Sequence, residues 1–211
     1  MLKFYYTRIM KRKLLIAIIL FTSLICLTTG CKKKQVSEEE SLNSLCEKYG
    51  FTLGTNTSFF LQMDKGYTDL ILNDFGSITA SNEFKAYSLL DMTKSQNGEG
   101  TYAALNFRQA DKIARWAQKN GIKLRGHCLV WDAYMPDWFF KAMFSTRRPF
   151  VDNKIMRRRF EQYIEDVITH FETKFPGVVY CWDVVNEAWE DDGNPRKPGS
   201  TDEGNYSNIE K

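Results

Sequence analysis

Parallel strands alternating with helices in a (β/α)8 TIM barrel, an α/β fold of which this chain covers about the first four units, is the architecture that the sequence predicts. Three observations carry it. From Ser41 onward, short apolar runs alternate with longer segments of helical period, the mark of repeated strand-helix units around a parallel sheet. Four such units in about 150 residues make half of a barrel that usually takes about 250. Polar and aromatic clusters stand at the C-terminal ends of three of the four strand candidates, where barrels of this kind place their reacting groups.

The elements follow in order. The first strand candidate is 51–55, entered through Gly50, followed by a short helix over 66–75. Ser77-Ile-Thr-Ala80 is the second strand. A helix from about 107 to 119 carries Ala110, Ile113, Ala114 and Ala117 on one face, and Gly121 is placed to end it. The third strand spans 123–131. The clearest helix is 153–174, where Met156, Phe160, Tyr163, Ile164, Val167, Ile168 and Phe171 recur at three- and four-residue spacing. Pro176-Gly177 ends it and a fourth strand, 178–185, begins at once. The polar run over 191–211, rich in Gly, Asn and Pro, predicts no packed element. Residues 46–211 thus read as the N-terminal part of a truncated barrel. An open half-sheet with bare apolar edges is expected to fold poorly by itself.

Composition narrows the function. With 43% hydrophobic and 14% aromatic residues, the chain of 211 has enough apolar surface for a sizeable core. The net charge of +3 depends on Lys3, Arg8, Lys11, Arg12 and Lys13; the remaining 24 basic and 26 acidic residues leave −2. No basic face remains to attract phosphate backbones, which argues against nucleic-acid partners. Residues 1–30 read as an export signal: a basic segment to Lys13, an apolar stretch over 14–27, then Thr28-Thr-Gly-Cys31. Thr22, Ser23, Thr28 and Thr29 dilute it below the 18 or so apolar residues of a spanning helix. Small residues before a cysteine resemble a bacterial lipobox, although Thr28 stands at the usual leucine position. Lipidation of Cys31, with a membrane anchor at the periplasmic or cell surface, is therefore the expectation, and simple secretion the alternative. Lys32-Lys-Lys34 and Glu38-Glu-Glu40 lie in a tether over 31–45. Cys46, Cys128 and Cys181 match no zinc or redox spacing; Cys128 and Cys181 read as buried small apolar residues, a disulfide between them remaining open. His127 and His170 fall on separate elements, so neither a metal nor another cofactor is expected.

The fourth strand ends in Trp182-Asp-Val-Val-Asn-Glu-Ala188. Asn-Glu alone is a weak signal, but a carboxylate at the mouth of an apolar barrel is expected to be desolvated, with its pKa raised. Such an acid stays protonated near neutrality and can deliver a proton to a leaving glycosidic oxygen. Glu187 is the candidate acid. The third strand ends in Arg125-Gly-His-Cys-Leu-Val-Trp131-Asp132. A lone His on an apolar strand is more often a satisfied core residue, yet Gly126 permits a close approach. Trp131, on the same face as His127, offers a flat ring for a sugar. Ser81-Asn-Glu-Phe-Lys85, after the second strand, could bond hydroxyls or simply cap a helix.

Phe75-Gly-Ser-Ile-Thr-Ala-Ser-Asn-Glu-Phe-Lys85, Arg125-Gly-His-Cys-Leu-Val-Trp131 with Pro136 and Trp138, and Trp182-Asp-Val-Val-Asn-Glu-Ala188 resemble, in order and spacing, the motifs of family 10 glycoside hydrolases, the endo-β-1,4-xylanases. The resemblance spans roughly 46–194. It implies cleavage of xylan or a related β-1,4-linked polysaccharide with retention, through a covalent glycosyl-enzyme. Glu187 would be the acid/base and Asn186 its neighbour on the sugar beside the scissile bond. His127 and Trp131 would line that subsite, and Asn82 and Lys85 would bind hydroxyls further out. Ser81 departs from the usual glutamate, and Asp132 and Tyr134 from a His and a Gln, which bears on chain length and sugar identity. The second carboxylate would come from a later Thr-Glu-Leu-Asp-like motif, and none precedes Lys211. Asp183, about 13 Å from Glu187 along an extended strand, is too far for a pair that needs about 5 to 5.5 Å; Asp132 is a poor substitute, and Glu190, Asp191 and Asp192 read as a solvated loop. The alternative is a catalytically dead surface lipoprotein that only binds polysaccharide.

Overall fold

The computed structural model describes residues 40–98, 102–196, 201–202 and 205–206. The export signal and Cys31 lie outside them. The first helix, α1 (Leu42–Lys48), starts inside the stretch expected to be tether, because the Ser41 hydroxyl accepts the Ser44 N–H and caps it.

Strand β1 (Gly54–Thr57) begins three residues later than expected. Phe51 has the propensity of a strand residue but is exposed, and its N–H goes back to the Cys46 carbonyl of α1. Helix α2 (Lys65–Asp74) is capped by Asp64, whose carboxylate accepts from Tyr67 N. Strand β2 (Ser77–Ala80) follows, then α3 (Ala86–Leu89) and α4 (Met92–Asn97). Helix α5 (Ala110–Asn120) buries Ala110, Ile113, Ala114 and Ala117, the face read from the sequence. Gly121 ends it at φ +67°, its N–H bonding back into the last turn. Strand β3 (Lys123–Trp131), helix α6 (Asn153–Lys174) and strand β4 (Val179–Asn186) complete the main unit.

The four strands pair in parallel, in chain order. Helices α5 and α6 supply Ile113, Ala117, Tyr163, Val167 and Phe171 to a core that also takes Ile78 and Leu124 from the sheet. The outer strand is less covered: Tyr180, Val184 and Val185 of β4 are exposed. Beyond it, the polar run does contain paired backbone, a two-residue antiparallel pairing of β5 (Thr201–Asp202) with β6 (Asn205–Tyr206).

The long connection from β3 to α6 runs through three 3₁₀ turns, Asp132–Tyr134, Asp137–Phe140 and Ala142–Phe144. Arg159 of α6 holds it down. Its guanidinium is buried, donates to the Phe139 and Lys141 carbonyls, and lies 4.0 Å over the Phe144 ring. A buried cation needs such acceptors to offset its lost hydration.

Candidate active site

Alternation along β3 turns Leu124, Gly126 and Cys128 into the core and leaves Arg125 and His127 on the other side. The ladder sets His127 opposite Asp183 of β4. Arg125 donates from Nε and Nη2 to Asp183 Oδ1 at 2.9 and 2.6 Å. His127 Nδ1 lies 2.9 Å from Asp183 Oδ2, and since an ionised carboxylate only accepts, that nitrogen carries the proton. Burial by itself pushes the Asp183 carboxyl up, but the bonds from Arg125 and His127 outweigh it and hold the group below its ordinary value. Arg125 is raised in turn by its bond to Asp183. The trio lines a cavity of about 750 Å³ together with Asn56, Thr79, Ser81 and Asn186.

The close approach that Gly126 was expected to permit is made by Trp182. A Cβ at 126 would stand 2.2 Å from the indole Cε3. Trp182 lies against Phe84 and Phe171, at ring-centroid distances of 5.9 and 5.7 Å, so it keys β4 to the helix layer.

Glu187 follows the last residue of β4. Its φ is +51°, a region that residues with a Cβ seldom occupy, and the chain turns out of the strand there. The Trp131 indole N–H donates to Glu187 Oε2 at 2.8 Å. The Glu187 main-chain carbonyl accepts from Arg196 Nε at 3.0 Å, and Arg196 Nη1 stands 3.5 Å from Asp132 Oδ2. Expected burial of the glutamate is not found: Glu187 is exposed at the end of β4, with the Trp131 indole bonded to its carboxylate.

Around the Trp131 ring stand His127, edge-on at 5.8 Å, and Tyr134, tilted at 4.4 Å. Lys85 Nζ lies 4.8 Å above the Trp131 ring and 4.2 Å above that of Tyr134. Burial pushes the Lys85 ammonium below its usual pKa, with Cys128, Glu187 and Glu83 pulling the other way. Lys85 donates to Asn82 Oδ1 at 3.0 Å, so the two residues expected to bind hydroxyls already bind each other. Glu83 joins the loops instead, accepting from Phe59 N and Asn82 N. Asn186, half-buried, is the ladder partner of Trp131. His127, Trp131, Asn186 and Glu187 therefore gather on adjacent strand ends, and Lys85 joins them through Trp131; Asn82 is exposed, one bond further out.

Sequence reading weighed Asp183 only as a nucleophile. Both its oxygens are engaged by Arg125 and His127, a role that the shared strand face could have suggested. Arg196 and its contact with Asp132 were missed, because a cation in a polar loop carries no periodic signal. Cys46, Cys128 and Cys181 are all free thiols; Cys128 is buried, which pushes it up to about 11, whereas Cys181 is only half-buried. Among the described residues no three His, Cys, Asp or Glu side chains form a group suited to a metal ion.

A carboxylate at the C-terminal end of a parallel strand, held by an indole beside a His-Asp-Arg group lining a cavity, stands where α/β barrels place their reacting groups. The chain belongs to glycosyl hydrolase family 10, which it matches over residues 41–208. It is 42% identical over 113 residues to a putative endo-1,4-beta-xylanase of Caldicellulosiruptor saccharolyticus, covering 54% of this chain and 36% of that protein. With endo-1,4-beta-xylanase B of Butyrivibrio fibrisolvens the identity is 34% over 160 residues, 74% of this chain and 25% of the relative. The structure of endo-1,4-beta-D-xylanase 10B of Clostridium thermocellum, complexed with xylohexaose, aligns with a TM-score of 0.66 at 31% identity, over 74% of this chain and 31% of that one. The chain thus spans about a third or less of the length of these relatives and aligns with part of their barrel.

Proposed function

We propose that the protein hydrolyses internal β-1,4-glycosidic bonds of xylan with retention of configuration, Glu187 acting as general acid and then general base. The observation that carries this reading is the carboxylate of Glu187 at the end of β4, fixed by the Trp131 indole at 2.8 Å, in a chain of family 10. In the first step the protonated Glu187 gives its proton to the glycosidic oxygen as the bond to the anomeric carbon breaks, and a second carboxylate, outside the described residues, forms an ester with that carbon. In the second step the ionised Glu187 takes a proton from water, whose oxygen attacks the same carbon and releases the second carboxylate. His127 and Asn186 bond the sugar beside the scissile bond, Trp131 lines its subsite, and Asn82 and Lys85 serve sugars further out.

In the full-length protein, Glu187→Ala is expected to lower turnover of xylan by about 10²- to 10⁴-fold. It should retain far more activity on aryl glycosides whose leaving groups need no proton. Equal losses on both substrates would remove Glu187 from the role.

One observation favours a second reading, a surface protein that binds polysaccharide without cleaving it. The Ser81 hydroxyl, where the family usually has a glutamate, donates to the Thr57 carbonyl, which fits a subsite that has drifted. Under that reading the parent protein itself releases no reducing ends from xylan.

The placement of the protein belongs to the same proposal: export by residues 1–30, a lipid on Cys31, and a short tether ahead of α1. Cys31→Ser should then move the protein from the membrane fraction to the soluble one. Unchanged fractionation would exclude the anchor.

A further inference from the structure

We propose that Asp132 and Arg196 form a clamp that aims the Glu187 carboxylate, making both of them positioning residues for the acid/base; the inference rests on that reading of Glu187. The two side chains are 8% and 11% exposed for Arg196 and Asp132, respectively, and 3.5 Å apart. Ion pairs of that burial differ from surface pairs, which contribute little. One oxygen of Asp132 is buried with no hydrogen-bond partner among the described residues, so the charge of this carboxylate depends on the guanidinium beside it.

Arg196 grips two consecutive peptides, on either side of Ala188. Its Nε donates to the Glu187 carbonyl and its backbone N–H to the Ala188 carbonyl, each at 3.0 Å. A small hairpin brings it back: Trp189 bridges Pro195, Glu190 N donates to the Asn194 carbonyl, and Gly193 N to the Glu190 carbonyl. Position 187 needs such a hold. A left-handed residue with a Cβ persists only where its surroundings over-determine it.

Asp132 supplies the other half. It follows Trp131 directly, and Trp131 is the residue whose indole fixes the Glu187 carboxylate. Main chain and side chain of Glu187 are thus both referred to the end of β3, one through Arg196 and Asp132, the other through Trp131. Removing the first tie leaves the carboxylate present but free to swing about its own backbone.

In the full-length protein, Arg196→Ala is expected to lower kcat on xylan about tenfold or more while KM changes by less than about twofold. The loss should be much smaller on an aryl xyloside with a good leaving group, and Arg196→Lys should recover part of it. A loop that is merely loosened would depress both substrates alike. Equal losses, or an unchanged kcat on xylan, therefore overturn the clamp. If Arg196→Ala does not accumulate as folded protein, Asp132→Asn, which keeps the shape and removes the charge, carries the same two outcomes. Glu187→Ala, run in parallel, separates the two failures. Without leaving-group selectivity there, the acid/base reading falls and the clamp with it; with selectivity there but none in Arg196→Ala, the clamp alone falls.

Discussion

Two histidines occur in this chain, and each donates to an aspartate that also meets a cation. On the sheet, His127 and Arg125 share Asp183; in the helix layer, His170 and Lys174 of α6 share Asp111 of α5, at 2.7 and 2.5 Å. Both aspartates are pushed up by burial and brought below their ordinary value by the stronger pull of their partners. The first trio lines a cavity of about 750 Å³, and His170 and Lys174 of the second line a depression of about 560 Å³. Pairing, shifted titration and a nearby hollow do not by themselves mark a reaction site. The difference is address: the first trio faces the same side of the sheet on which β3 and β4 deliver Trp131 and Glu187, whereas His170 lies flat on Phe107, ring centroids 3.6 Å apart, and closes a joint between helices.

Substitution of each aspartate tests the contrast. In the full-length protein, Asp183→Ala should produce the larger effect, a fall in xylan turnover of about 100-fold, because His127 loses the acceptor that orients it and Arg125 is released into the cavity. Asp111→Ala should leave turnover within about twofold and lower unfolding stability by about 1–2 kcal/mol, the scale of a buried acceptor removed from two donors. A greater loss of activity in Asp111→Ala than in Asp183→Ala would break the comparison. The smallest effect is in pH. A carboxyl whose folded-state pKa lies below its unfolded value contributes stability that is complete above the unfolded value, near 3.8, and is lost as pH falls through the folded one. Acid titration of unfolding should therefore be less steep below pH 3.8 in Asp111→Ala than in the parent; identical slopes would show that the Asp111 trio adds nothing.

The helix layer was the more legible of these regions. Ala110, Ile113, Ala114 and Ala117, and the series from Met156 to Phe171, repeat at helical spacing because one face of each helix is buried. Strands Ser77–Ala80 and Lys123–Trp131 stand as the sequence predicts them, since Ile78 and Ala80, and Leu124 and Cys128, are buried in alternation with Thr79 and with Arg125 and His127. β1 does not follow propensity: Gly54 and Asn56 are poor strand formers, yet they pair with Ser77 and Thr79, so the neighbouring ladder rather than the residues themselves selects the strand. At the site, local order along the chain made the residues from 125 to 132 and from 182 to 188 readable as motifs. What joins them was not readable. The indole bond from Trp131 to Glu187 spans 56 residues, and the Arg196 contact with Asp132 links two loops whose composition resembles ordinary solvated turns.

The left-handed backbone at position 187 has a consequence for how this protein can change over time. Glycine occupies that conformation freely, whereas glutamate and alanine both resist it. Selection for heat endurance alone would therefore favour glycine in place of Glu187, at the loss of the carboxylate. A glutamate persists at such a spot only while what its carboxylate does outweighs the strain of its backbone.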